Sequence, residues 1–222
     1  MSTLLTRSSA TVPAGVSRLL VLAIVPLVAF MALAHTTIEG SSASSMTPAQ
    51  VDERAAQWII VAVLWVLPVA LAGVAFVVIA ARLGGGIPVW PLAGAGIALL
   101  AAHVVAQVAV VWFDDSSTLA DSINYSLAIL LSLLGWWAVD VVAALTCLRL
   151  YKRRLAPRTA MVVGVLTILF LFVEVAVYLP ALVGSAELHD TIGLPPMLLP
   201  VLWAVLGGVL WRGRTRATTE LP

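Results

Sequence analysis

The stretch AQWIIVAVLWVLPVALAGVAFVVIAA, residues 56–81, decides the fold class of this chain. It contains one glutamine and no charged residue. A bilayer core about 30 Å thick is crossed by roughly 20 apolar residues in a helix. The stretch is long enough for that, and it lacks the alternation over about ten residues that marks a membrane β-strand. It therefore predicts a transmembrane helix.

Five more stretches of this kind predict an all-α integral membrane protein with six transmembrane helices. The chain is 62% hydrophobic and 10% charged, with mean hydropathy +1.08, whereas soluble domains average about 45–50% apolar and about 25% charged. Short cytoplasmic tails at 1–17 and 212–222 flank the membrane domain. The predicted spans are 18–35, 56–81, 90–113, 124–148, 159–183 and 194–211.

The basic residues orient this bundle. In the six-span arrangement, eleven of the twelve Lys and Arg residues fall on one side, and only Arg54 falls on the other. Eight of the eleven acidic residues lie on the side of Arg54. Because cytoplasmic loops carry the excess of Lys and Arg, both termini are predicted to be cytoplasmic. We call the two sides the basic end and the acidic end of the bundle.

The first apolar stretch has an alternative interpretation. Two arginines, an apolar run and the sequence Ala-Leu-Ala before His35 also resemble a secretory signal with a cleavage site. Cleavage after residue 34 would leave five spans. No repeat of fixed period relates spans one to three to spans four to six.

Two acidic residues, Asp140 and Glu174, fall inside predicted spans. A carboxylate at the centre of a membrane helix costs at least about 2.5–3.5 kcal/mol, so such a residue is a candidate functional site. At 1.5 Å per residue, Glu174 and His103 lie about 22 and 20 Å from the basic ends of their helices, and Asp140 about 13 Å. This equal depth predicts that His103 and Glu174 approach each other. Asp140 lies nearer the basic end and would form a second polar site.

Residues four apart share a helix face, and this spacing adds neighbours to each of the two polar sites. Gln107 accompanies His103, and Tyr178 accompanies Glu174, with Thr167 two turns below. Asp140 shares a stripe with Ser132, Trp136 and Ala144. The candidate site for a proton or a polar solute group is therefore Glu174, His103, Gln107, Tyr178 and Asp140. The alternative is structural, because interhelical polar pairs can serve as modest packing contacts of about 0.6 kcal/mol.

Metal, cofactor and catalytic chemistry find little support in the sequence. Cys147 is the one cysteine, so neither an internal disulfide nor a multi-cysteine metal site is available. His35 and His189 are weak metal candidates, because no two histidines stand at a ligand spacing. No phosphate-binding, dinucleotide-binding or hydrolase motif is present. We therefore expect no cofactor and no nucleic acid partner, and we favour a protein that is not an enzyme.

Three functions remain open. The first is transport or solute and proton binding, with the outer loop 36–55 as a lid. The second is a non-catalytic subunit that holds another membrane protein or a second copy of itself. A ladder of small residues, which lets helices approach closely, would form that contact: Gly94, Ala98, Ala102 and Ala106. The third is a membrane-embedded enzyme or redox subunit. Arginine far outnumbers lysine, as in high-GC bacteria, so the expected location is the bacterial inner membrane.

Overall fold

A computed structural model of the chain describes residues 12–37, 46–84, 87–184 and 195–219, and these ranges hold helices and no strand. A short 3-10 helix spans Leu119–Asp121. The α-helices are α1 Ala14–Leu22, α2 Ile24–Thr37, α3 Pro48–Asp52, α4 Ala55–Leu83, α5 Trp90–Phe113, α6 Ile123–Lys152, α7 Pro157–Gly184 and α8 Pro195–Thr219. The predicted all-α fold class is confirmed.

Five of the helical segments are long and apolar enough to cross a membrane. They are 14–34, formed by α1 and α2 with a break at Ala23, then α4, α5, α6 and the part of α7 up to Tyr178. A sixth, shorter apolar segment, Met197–Gly213, lies within α8. These segments coincide with the six predicted spans, and the chain is a polytopic membrane protein.

The helices extend beyond the apolar stretches at the basic end. α6 continues to Lys152, four residues past the predicted boundary, and α8 continues to Thr219 through residues predicted as a tail. Long basic side chains such as Arg149 and Lys152 carry an apolar stem and a charged head, so a helix can pass from lipid into water without ending.

Helix α6 is the centre of the bundle. It packs against α5 and α7, which make at most a marginal contact with each other, and also against α4. Glycines bring α5 and α6 together: a methyl group at Gly96 would lie 3.1 Å from the carbonyl oxygen of Gly135. On the other side, α1 packs against α8 at Gly207, where an added Cβ would lie 2.7 Å from the Ser17 oxygen.

A small structured cap covers the acidic end. Thr47 begins α3 with a capping box, in which its hydroxyl accepts from the Gln50 N–H and the Gln50 side chain accepts from the Thr47 N–H. The Leu119 N–H donates to the carbonyl of Met46 at 2.9 Å, which joins the two loops at this end. Met46, Leu119 and Val51 are buried over the bundle. The described part of the predicted lid is thus a packed helix.

At the basic end, α6 and α7 are joined by a tight connection. The N–H of Leu155 donates to the Leu150 carbonyl and that of Arg154 to the Tyr151 carbonyl. This pair of bonds is a Schellman motif, whose residue in the left-handed region is usually glycine. Here that residue is Arg154, with φ of 59°. The short turn fixes α7 antiparallel to α6.

Candidate functional site

All five predicted site residues have buried side chains. Asp140 is fully buried and Glu174 is 1% exposed, while Tyr178, His103 and Gln107 are nearly as well covered. Thr167, on the Glu174 face of α7, is also buried. The polar residues of α5, α6 and α7 therefore face protein rather than lipid. Their roles stay predictions.

Helices α6 and α7 run side by side in matched register. An added Cβ at Gly164 would lie 2.9 Å from Cβ of Cys147, so these two residues stand at one level. Trp137 and Glu174 lie about 15 Å from that level on their respective helices, at 1.5 Å per residue. The Trp137 Nε1–H donates to Oε2 of Glu174 at 3.2 Å, as the shared level requires.

His103 and Glu174 were expected to approach each other directly or through one water, and no direct hydrogen bond joins them. His103 Nδ1 donates instead to the Ala128 carbonyl of α6 at 2.7 Å. Ala128 and Trp137 are about 13 Å apart along α6, so the two predicted partners contact α6 at different levels.

His103 and Glu174 contact α6 at different levels because α5 is shifted along its own axis relative to α6. Gly96 lies about 9 Å from the start of α5, whereas Ala138, which it faces, lies about 21 Å from the end of α6. Equal distance from a helix end therefore does not mean equal depth here. His103 stands nearer the acidic end than the residue count implied.

Glu174 is instead a neighbour of Asp140. Asp140 lies about 10 Å from the level of Cys147, which puts it about one helical turn below Glu174. Asp140 is three residues from Trp137 on α6, so it shares the helix face on which Trp137 contacts Glu174. Counting from the helix ends placed the two residues about 9 Å apart in depth, whereas the register of α6 and α7 reduces this separation to about one turn. We call Asp140 and Glu174 the acidic pair.

Most polar atoms of this pair have no partner. Both carboxyl oxygens of Asp140 and Oε1 of Glu174 are buried without a hydrogen bond, as is the indole Nε1 of Trp136, one turn from Asp140. The great majority of buried polar atoms in proteins are hydrogen-bonded. The described helices α4 to α8 carry their Lys and Arg residues only near the basic end. The described helices therefore place no Lys or Arg side chain at the level of the pair.

The electrostatics of the pair require a positive partner. Two carboxylates in an apolar interior without a cation would each bear the desolvation cost of an ion, and their charges would repel. A bound proton removes one of the charges and supplies a donor for a free oxygen. A small cation or a ligand ammonium group would have the same effect.

A separate polar cluster lies toward the acidic end. Gln107 Oε1 accepts from the Trp58 Nε1–H at 2.9 Å, and the Trp58 ring packs on Tyr125 with centroids 6.2 Å apart. Tyr178 belongs to the same buried cluster as these aromatic rings. Gln107 is thus bonded to a member of this aromatic cluster, and Tyr178 belongs to the same cluster.

Tryptophans are the partners that the sequence analysis missed. Trp137 binds Glu174, Trp58 binds Gln107, and the Trp203 Nε1–H donates to Thr167 at 3.2 Å. Trp58 stands near a span end, where tryptophan commonly serves as an interfacial anchor, but here it is buried. The available signal was a polar residue within reach of an indole donor, which needs a partner when buried.

Among the described residues, no group of three or more His, Cys, Asp and Glu side chains could hold a metal ion. The two weak metal candidates lie outside the described part of the chain: these are His189 and the side chain of His35. Comparisons with protein-family models, curated proteins and solved structures find no match to this chain.

Proposed function

We propose that this polytopic membrane protein is a small transport protein that binds a proton, or the cationic group of a small solute, at the Asp140–Glu174 pair. The observation that carries the proposal is the set of three unpartnered carboxyl oxygens in a fully buried site. A pair retained only for packing would be expected to satisfy its own hydrogen bonds, and no hydrogen bond joins these two groups.

The surroundings of the pair favour a path rather than an isolated site. Thr167, Glu174 and Tyr178 lie along one buried face of α7 over about 16 Å, and Asp140 faces this stripe from α6. Chains of ionisable and hydroxyl groups between membrane helices are typical of proton relays. A bacterial plasma membrane, where a proton gradient is available, remains the proposed location.

Proton flux and chemical labelling test the proposal together. Dicyclohexylcarbodiimide, an apolar reagent for protonated carboxyl groups, is expected to label Asp140 or Glu174 in the purified protein. Proteoliposomes containing a pH-sensitive dye are expected to show proton flux that is lost in Glu174→Gln and in Asp140→Asn. Asp115→Asn, which changes an exposed carboxyl group, serves as the control and should behave as the parent.

Absence of labelling at both positions, together with unchanged proton flux and unchanged folding in Glu174→Gln, would assign the pair a packing role.

One observation favours a second candidate function, that of a partner subunit. Gly94 and Ala98 on α5 face outward, and an added Cβ at Gly94 would meet nothing within 4 Å. The small-residue ladder thus begins on the outside of the bundle, although it turns inward at Ala106, which is buried. Replacement of Gly94 and Ala98 by leucine should dissociate any oligomer seen on native gels, whereas Val105→Leu, on an exposed position of the same helix, should not.

A further inference from the structure

A groove of about 360 Å³ opens at the basic end between the end of α4 and the last turns of α6. One isoleucine and two leucines form its apolar part, and three basic residues form its polar part. Leu148 is 48% exposed on the lipid-facing side, so the apolar part is continuous with the bundle surface. The lining residues are Gly84, Ile87, Leu145, Leu148, Arg149, Lys152 and Arg153.

Arg149 is held in place at the back of this groove. Its guanidinium donates to the carbonyl oxygen of Ala80 at 3.3 Å and to that of Ile87. These bonds attach the α4–α5 connection to α6. A guanidinium has five N–H donors, so donors remain for a further acceptor after these two bonds are made.

The positive charge of the groove is not compensated by the described residues. All described acidic residues outside the membrane lie at the acidic end: Asp52, Glu53, Asp114, Asp115 and Asp121. Lys152 and Arg153 are exposed and make no ion pair with a described residue. Three cations, of which Arg149 is held in place, lie beside an apolar, lipid-facing surface. This arrangement matches a molecule that has an anionic head and an apolar tail.

We propose that this groove binds one anionic phospholipid. The phosphate would lie between Arg149, Lys152 and Arg153, and an acyl chain would run along Leu148 and Leu145. Basic residues next to a membrane attract anionic lipid, and each contributes about fivefold in affinity. The groove adds to this general attraction a fixed guanidinium and a shaped apolar wall, which distinguish one site from a diffuse charge.

A titration in uncharged detergent at physiological salt tests the site. Short-chain phosphatidylglycerol, phosphatidylcholine and inorganic phosphate are added to the purified full chain, and binding is followed by thermophoresis. The groove variant is Lys152→Gln with Arg153→Gln. The matched control, Arg154→Gln with Arg158→Gln, removes the same charge from the same connection but leaves the groove lining intact.

Phosphatidylglycerol is expected to bind more tightly than phosphatidylcholine, and the groove variant should bind it about 25-fold more weakly. The control should change affinity less than threefold, because neither side chain lines the groove and exposed charges outside a binding site are partly screened at physiological salt. Equal weakening in both variants would show diffuse attraction and overturn the proposal. Binding of inorganic phosphate as tight as that of the lipid, or no preference for the anionic head, would also overturn it. If the double variant does not fold, Lys152→Gln alone should show about a fivefold loss.

Discussion

Replacement of Gly207 by alanine tests the packing of the first helix against the last. An added Cβ would lie 2.7 Å from both Cβ of Leu20 and the carbonyl oxygen of Ser17, whereas ordinary contact begins at 3.4 Å. Helix α1 would have to retreat by about 0.7 Å, and one contact is with backbone, which cannot rotate away. Overpacking of this kind typically costs 1–3 kcal/mol.

Gly208 is the matched control, because an added Cβ there meets nothing within 4 Å. Alanine favours a helix over glycine by about 0.8–1 kcal/mol at either position, so this gain cancels in the comparison. We expect Gly207→Ala to be about 1–3 kcal/mol less stable than Gly208→Ala. Unfolding in mixed detergent micelles measures the difference. Equal stability of the two variants, or greater stability of Gly207→Ala, would refute the close approach of α1 and α8.

Three other predictions concern single side chains. Arg154→Gly should stabilise the protein by up to about 1 kcal/mol, because glycine adopts the left-handed region without strain; a lower unfolding temperature would contradict this. Trp58→Phe should lower the free energy of unfolding by about 1 kcal/mol more than Trp112→Phe does, because the first substitution leaves Gln107 without its donor. Trp112 is a suitable control because it is 60% exposed. Equal losses in the two variants would show that the bond is not formed. Partial burial raises the pKa of Asp114, but hydrogen bonds from neighbouring serine and asparagine residues outweigh this effect and hold that pKa below its ordinary value. The loop it organises should therefore keep its amide protection above about pH 4 and lose it as the pH falls through the lowered pKa, and Asp114→Asn should remove this dependence in hydrogen-exchange measurements.

The length and apolar character of each span were enough to predict the helices. The prediction for α5, residues 90–113, matches its observed bounds, because the run ends at Asp114 and begins after Pro88, two strong boundaries. The burial of Glu174 and Asp140 was predictable for the same reason, since a carboxylate in a membrane helix is placed toward protein.

The neighbours of these residues could not be predicted in the same way. Which helices touch, and at what level, depends on contacts such as Gly96 with Ala138 and Gly164 with Cys147. No single helix contains that information, and counting residues from the helix ends assumed that all ends lie in one plane. Because α5 is shifted, His103 does not lie at the level of Glu174. The acidic residue about one turn from Glu174 is Asp140.

The helix α3 was missed although its signal was present. Thr47-Pro48-Ala49-Gln50 is a capping box with proline at the first helical position, a pattern that marks a helix start. The following helix has only five residues, too short for the apolar periodicity by which longer helices are recognised. Its stability comes from the burial of Val51 at the acidic end.

The most direct test of the account is whether the Asp140–Glu174 pair holds a titratable proton inside the membrane. Infrared difference spectroscopy of the reconstituted protein over a pH series detects the carbonyl stretch of a protonated carboxyl group in dry surroundings. We predict such a band in the parent, reduced in Glu174→Gln and in Asp140→Asn, and absent in the double variant, which should still fold. The same band in the double variant, or no such band in the parent at any pH, would contradict the assignment of the pair as a proton site.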